Sequence, residues 1–528
     1  MRGIKSIFFS TFSLCAGVSG YVWPSPYDFL EDAYTVSSGF ADGGIVAGVN
    51  PCSISPFAGL SPGRQAASEW LRVAYHDMAT YSIDTGLGGL DASIGFETDR
   101  AQNVGPAMNS SLQFFRSFQS ENSSMADVIA LSVILAIKNC GGPSIPFRAG
   151  RIDAENGGPE TVPEPQQDIA THTQLFAQQG FNVSEMIKSH LPALVACGHT
   201  IGGIHQADFP GSVENATTST NPSGVVHFDD TFDSFDNHIP NSDARIFQAD
   251  GNQTMSAYAK DPTLFASQCG ALLERMLNTV PKAVQLTDVI EPLAVKPYQL
   301  ALTLASNGSL VLSGYIRIFG TSAEAASATA ADMPVILSWL DRNAQASAAS
   351  SVSASAVSEA SNSLWGNARF FQVNAIINGQ TGISSFVVDW AFKTQDSLTH
   401  SDNGGSGFPL QDVVLYQPAN SCVDAGGVLN RNTTTYAVIR NDMGPITAAY
   451  VDYNSNVNQV GSTSLKQITT RIPLVHTGNS SSPLYDTYSA TFTSPATANQ
   501  GRVTFDVVAV IAGETYASLN NPAISAAC

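Results

Sequence analysis

Near residue 285 the spacing of apolar residues switches from every third or fourth position to every second, and one packing layer cannot serve both patterns. Before the switch, "AASEWLRVAYHDMA", "MADVIALSVILAIKNC", "LPALVACGHTIGGI" and "LFASQCGALLERMLNTV" read as helices with buried faces. After it, "YQLALTLASNGSLVLSGYIRIFG", "RFFQVNAIINGQTGISSFVVDWAF" and "GRVTFDVVAVIAG" alternate as half-buried strands, and the "NG" pairs between alternating runs read as hairpin turns. The Ala/Ser-rich stretch 321–364 is open to three readings: a linker, a glycosylated loop or a small helix. The expected fold is therefore mainly α over residues 21–285, followed by all-β sandwich-like domains. The first covers 286–418 with 321–364 as an insertion, and the second covers 419–528.

A chain of 528 residues, 43% hydrophobic and only 13% charged, has material for two to four domains with substantial cores. Residues 1–20, "MRGIKSIFFSTFSLCAGVSG", have the basic start, apolar run and small-residue end of a secretory signal peptide. No later apolar run approaches the roughly 18 residues a membrane span needs, so no membrane association is expected. The formal charge of −20 becomes −22 without Arg2 and Lys5, which argues against nucleic acid as a partner. Export also fits the cysteines: Cys15 leaves with the signal, and Cys52, Cys140, Cys197, Cys269, Cys422 and Cys528 remain. Six cysteines allow 15 pairings, so spacing alone does not give the connectivity. Sequons begin at Asn109, Asn122, Asn182, Asn215, Asn252, Asn307, Asn432 and Asn479, as suits a secreted glycoprotein.

In "WLRVAYHD" Arg72 and His76 are one helical turn apart and share a face. A second histidine, His199, sits in the largely apolar "LPALVACGHTIGGIH". His199 and His205 are too far apart for a zinc-type pair, and no H-E-x-x-H occurs. Each helical histidine is followed by an oxygen-bearing residue. Asp77 precedes Gly89, Asp91 and Ser93 in "GGLDASIGFE"; Thr200 precedes Asp229, Thr231, Ser234 and Asp236 in "FDDTFDSFD". Either set alone reads as a polar loop, but two oxygen-only sets, each starting one residue after a helical histidine, suit two hard cations such as calcium.

R-x-x-x-H-D, G-x-D-x-S, a G-H-T helix and D-x-T-x-x-x-x-D occur in that order over residues 50–280. This arrangement resembles the plant and fungal haem peroxidase superfamily, and most of all its calcium-containing fungal secretory (class II) branch. The resemblance implies one haem b, two calcium ions, hydrogen peroxide as oxidant and small aromatic electron donors. His76 takes the place of the distal acid–base residue, Arg72 its partner, and Glu97 and Asn103 of "ETDRAQN" its orienting pair. With the Asn103 oxygen on Nδ1, His76 Nε2 is left as the base. His199 takes the place of the proximal iron ligand, Asp250 of "FQAD" its hydrogen-bond partner, and Phe228 the aromatic beside its imidazole. The resemblance also makes Cys52–Cys140 the preferred disulfide. The implied reaction splits peroxide heterolytically, passes through an oxoferryl state and oxidises donors in one-electron steps.

Several positions depart from the family. Tyr75 replaces the usual distal phenylalanine or tryptophan, and either packs, tunes hydrogen bonding or is itself oxidised. Gln65, Glu69 and His205 stand where manganese-oxidising members carry three acids, and Leu194 stands where lignin-oxidising members carry a surface tryptophan; neither route is expected. Cys197 is not a usual family cysteine and either pairs with Cys269 or stays a buried thiol. Cys422 and Cys528 are positioned to close a loop in the last β-domain. The β-region lies outside the resemblance and is expected to leave the peroxide step unaffected if removed. An alternative reading is a non-catalytic, secreted cell-wall or carbohydrate-binding protein on a haem-peroxidase scaffold.

Overall fold

The computed structural model describes residues 22–528 apart from 56–62, 165, 182–189, 211–212, 214–223, 239–243, 249, 348, 358–360, 393–396, 425–429 and 496–500. The expected signal peptide and the sequons at Asn182 and Asn215 lie outside the described residues. The N-terminal part is helical and the C-terminal part is built of strands.

At the centre of the helical part is Met125–Asn139, buried along almost its whole length and therefore apolar on every side. Its start is tied down twice. Ser124 accepts from the Asp127 amide at 3.0 Å, and Asp153 accepts from the Met125 and Ala126 amides at 2.9 Å. Ala66–Met78 packs against it, and its buried Ala67, Leu71, Ala74 and Met78 follow the spacing of one helical face, while Trp70 lies against Phe114 and Phe115. That leaves Arg72 and Tyr75 at the edge of the buried surface, with His76 just inside it. Pro262–Leu277 begins with Pro262 at its first turn and Asp261 capping the Thr263 and Leu264 amides at 3.0 Å each.

Beyond residue 290, the described strands make four main sheets around two large cores and a smaller cluster with Phe319 and Phe370. Val295–Leu304 and Leu310–Gly320 form an antiparallel hairpin turning at Asn307–Gly308, as the "NG" signal predicts. The second "NG", Asn378–Gly379, is not a hairpin turn. Asn367–Ile377 pairs with Leu310–Gly320, whereas Ser385–Trp390 belongs to another sheet. Nor is the Ala/Ser-rich segment an insertion: its Val335–Leu340 run lies between two strands of that second sheet. The later sheets are built on Asn430–Arg440 with Tyr485–Pro495, and on Ile446–Asn458 with Leu465–Pro473 and Thr504–Ile511. Cys422–Cys528 ties the chain end to this region.

The helical and β parts share a buried electrostatic joint. Glu31 of the first helix, Asp28–Thr35, accepts from Lys296 at 2.8 Å and forms an ion pair with Arg317 at 2.5 Å; all three side chains are at most 1% exposed. Burial opposes ionisation of Glu31, but Arg317 and Lys296 outweigh it and hold the carboxyl below its usual range. Ser38–Gly39 then adds a short strand to the first β-sheet by pairing with Ser361–Asn362.

Candidate active site

His76 Nδ1 lies 2.7 Å from Asn103 Oδ1, and Asn103 Nδ2 donates to the Glu97 carbonyl at 2.8 Å. Glu97 is itself fixed, accepting from the Gly158 amide at 2.7 Å and pairing with Arg100 at 3.0 Å. An amide oxygen accepts only, so this contact places a proton on Nδ1 and leaves Nε2 as the free base. Burial, reinforced by the Arg72 charge, pushes His76 down to about 3. Arg72, one turn earlier, donates to the Val104 carbonyl at 3.0 Å and remains a cation, although burial lowers its pKa.

This arrangement predicts an acid limb. His76 is neutral in the folded chain down to about pH 3, whereas the unfolded residue takes up a proton near 6.5. Stability contributed through this group is therefore lost as pH falls below about 6.5, levelling off near 3. Proton abstraction by His76 should persist well below pH 6.5, and Arg72→Leu should move the midpoint upward by removing the neighbouring charge. An NMR titration of the His76 imidazole checks this; a wild-type midpoint at 6.5 would contradict it.

Tyr75 sits edge-on to His76 with ring centres 6.0 Å apart, and its other neighbour is Phe176, also at 6.0 Å. Its hydroxyl is buried with no hydrogen-bond partner among the described residues, and burial raises its pKa. Losing an electron from a phenol is favoured when its proton has somewhere to go. Among the described residues the hydroxyl meets no acceptor, an arrangement that fits packing.

His199 is the last residue of His190–His199, and its ring stacks on Phe228 with centres 4.0 Å apart and planes 12° apart. Two residues earlier, Cys197 is bonded to Cys269 of Pro262–Leu277, both fully buried, a pairing that spacing left open. Cys52 is bonded to Cys140. Gly202, at φ +86°, lies against Ser68 of the Arg72/His76 helix, where a Cβ would come within 2.5 Å. The two histidine-bearing helices thus converge at this edge. Asp250 accepts from the Gln253 amide at 3.0 Å and the Thr254 amide at 2.9 Å, so it also secures the start of helix Gln253–Lys260.

Within each oxygen set, hydrogen bonds tie several of the members to one loop. In the first, Asp77 accepts from the Ala92 and Ile94 amides at 2.7 and 2.9 Å, and Asp91 accepts from the Ser93 amide at 3.2 Å. Gly89 opens this loop at φ +108°. Burial raises the pKa of Asp77, and the Asp91 charge raises it further. Two close, buried carboxylates of this kind fit a divalent cation. In the second set, the Thr200 hydroxyl donates to the Asp236 carbonyl at 2.8 Å, the Thr231 amide to Asp229 at 2.8 Å, and the Ser234 amide to the Thr231 carbonyl at 2.8 Å. The other Asp229 oxygen is buried and finds no hydrogen-bond partner among the described residues. His238 was not singled out from sequence; its Nδ1 lies 3.0 Å from the Thr231 hydroxyl. Among the described residues no three His, Cys, Asp or Glu side chains group as a metal site, so both sets depend on hydroxyl and carbonyl oxygens.

The acid at the manganese-type edge is occupied. Glu69 is held by both Arg64 Nε and Nη2 at 2.7 and 2.6 Å. Leu194 is buried, leaving no surface side chain at that position.

The helical domain carries a base, a cation and a second, aromatic-braced histidine, and residues 57–254 match the peroxidase family model. The chain thus contains a peroxidase-family domain of the plant and fungal haem peroxidase superfamily. A WSC domain-containing protein of Arthroderma benhamiae is 36% identical over 454 residues, 81% of this chain and 60% of the relative, so the likeness continues into the β-region. The peroxisomal L-ascorbate peroxidase 5 of Arabidopsis thaliana is 30% identical over 158 residues, 29% of this chain and 54% of that protein. The mitochondrial cytochrome c peroxidase of Yarrowia lipolytica is 26% identical over 246 residues, 42% of this chain and 70% of that protein. The chain therefore spans only 60% and 54% of the first two.

Proposed function

We propose that this chain is a secreted haem peroxidase that reduces hydrogen peroxide and oxidises small phenolic or aromatic donors by one-electron steps. The observation that carries the reading is the His76–Asn103 contact, which leaves a neutral, buried Nε2 base one turn from the Arg72 cation. His199, braced by Phe228, is the residue to hold the haem. Bound there, haem b would supply a redox-active iron and storage for two oxidising equivalents. His76 takes the proton from one peroxide oxygen and returns it to the other, so that water can leave. Arg72 stabilises the negative charge that develops on the departing oxygen, and it does so without titrating. The Arg64 clamp on Glu69 and the buried Leu194 favour donors that reach the haem edge directly over manganese or a surface-tryptophan route.

Two calcium ions complete the reading, one on Asp77, Gly89, Asp91 and Ser93 and the other on Thr200, Asp229, Thr231, Ser234 and Asp236. Each would clamp the loop behind one histidine. Calcium bound at about 100 times its Kd adds roughly 2.7 kcal/mol, so chelation should lower the melting temperature by several degrees. Asp77→Ala and Asp229→Ala should each lose one of the two ions and respond less to chelator than wild type. Metal analysis without calcium in stable protein would remove this part.

Three disulfides support an extracellular setting, and among the described residues no helix is long and apolar enough to cross a membrane. The non-catalytic alternative has less support, because a wall-binding scaffold has no need of a neutral base beside a half-buried cation. Haem-loaded protein mixed with peroxide and a phenol such as hydroquinone tests the proposal. Turnover with the phenol, and little with manganese(II), is expected. No turnover with any donor would overturn it.

A further inference from the structure

The hairpin formed by Ile446–Asn458 and Leu465–Pro473 reaches the helical part with one side of its tip. Its tip, residues 459–464, rests on the turn Ser93–Phe96 of the helical part. The Thr463 amide donates to the Gly95 carbonyl at 2.8 Å, and a Cβ on Gly95 would lie 2.5 Å from the Ser464 hydroxyl and 2.7 Å from that of Ser462. The Thr463 hydroxyl donates to Asn109 Oδ1 at 2.7 Å. Just behind the tip, Leu465 exchanges two hydrogen bonds with the Gln119 side chain, 3.1 Å through its amide and 3.3 Å through its carbonyl. The Gln119 carbonyl in turn accepts from the Arg502 amide at 2.7 Å. Gln119, Ser464 and Leu465 are all buried, so this is a packed joint.

Both ends of the gripped turn lead to His76. On one side, the Ile94 amide donates to Asp77, the residue after His76, at 2.9 Å. On the other, the Glu97 amide donates to the Ile94 carbonyl at 3.0 Å, and the Glu97 carbonyl holds the Asn103 side chain that orients His76. The turn is thus a short lever between the β-region and the two groups that set the position of the histidine.

We infer that the 446–473 hairpin is a positioning element for the His76–Asn103 pair, so that the β-region helps to set the peroxide site. This rests on the function proposed above and replaces the expectation that residues 21–285 act alone. The buried Glu31–Lys296–Arg317 joint is a second reason that a truncated chain is a poor test, since truncation would leave Glu31 buried without its cations.

The experiment uses the full chain. One variant replaces residues 459–464 with a two-residue Asn-Gly turn too short to reach Gly95; a second, Gly95→Ala, pushes the tip away with a methyl group. Val460→Ser is the control, because Val460 is 97% exposed on the same tip. Displacing a reacting group by about 1 Å can cost roughly 100-fold, so a 10- to 100-fold slower peroxide step at unchanged haem content is expected for both variants. The second readout needs no haem. NMR of histidine-labelled apoprotein should show an exchange-protected His76 Nδ1–H in wild type and in Val460→Ser, and loss of that protection in the two variants. Folded variants that keep both the peroxide rate and the protected Nδ1–H would overturn the inference and leave the proposed function standing. If wild type itself never reacts with peroxide, the proposed function fails, and the Nδ1–H signal still decides the positioning role.

Discussion

His76→Leu is expected to take up haem normally and yet react with hydrogen peroxide about 10²- to 10⁴-fold more slowly, or worse. The residue is not the iron-holding histidine, so its loss should leave cofactor content intact. What disappears is the Nε2 base that the Asn103 contact directs away from Nδ1. Leucine fills similar space and cannot move a proton between the two peroxide oxygens. Arg72→Leu should also slow the step, but less, because it removes charge stabilisation and leaves the proton shuttle. Asn103→Leu should fall between wild type and His76→Leu, since the imidazole remains but its tautomer and direction are no longer held. Stopped-flow mixing at fixed haem content separates these cases; an unchanged rate for His76→Leu would contradict the distal role.

Much of the site was legible because its parts lie close in sequence. Arg72, His76, Asp77, Gly89, Asp91, Ser93, Glu97 and Asn103 fall within 32 residues, and helix spacing and loop chemistry relate most of them without tertiary knowledge. The contact of His199 with Phe228 needed the family order as a guide, since 29 residues and a change of secondary structure separate them. The Cys197–Cys269 bond was one of two readings left open for Cys197, because spacing alone does not choose between a bond across 72 residues and a buried thiol.

In the β-region, alternation located the strands but not their partners. Asn307–Gly308 and Asn378–Gly379 carry the same turn signal, yet only the first joins paired neighbours. A turn dipeptide reports a bend and says nothing of which sheet receives the next strand. The Ala/Ser-rich stretch hid Val335–Leu340 because its surroundings dilute the apolar signal, while burial of alternate side chains makes the strand. Contacts between the helical and β parts were invisible for a simpler reason. Glu31 meets Lys296 and Arg317 across more than 260 residues, and Thr463 meets Gly95 across more than 360. Local patterning carries no information on such pairs.

His199→Ala is the other substitution with a large expected effect. The imidazole stacked on Phe228 is the proposed attachment point of the haem iron, and alanine supplies no ligand. The disulfide at Cys197 and the Gly202–Ser68 contact should keep the helix in place, so the variant should fold and still fail to hold the cofactor. The direct measurement is the absorption spectrum of the full-length protein titrated with haemin, wild type beside His199→Ala. A stoichiometric ferric Soret band in wild type, absent or greatly weakened in the variant at equal folded content, is the predicted result. A wild-type chain that is folded and never acquires the band, or a variant that acquires it equally, would contradict the account.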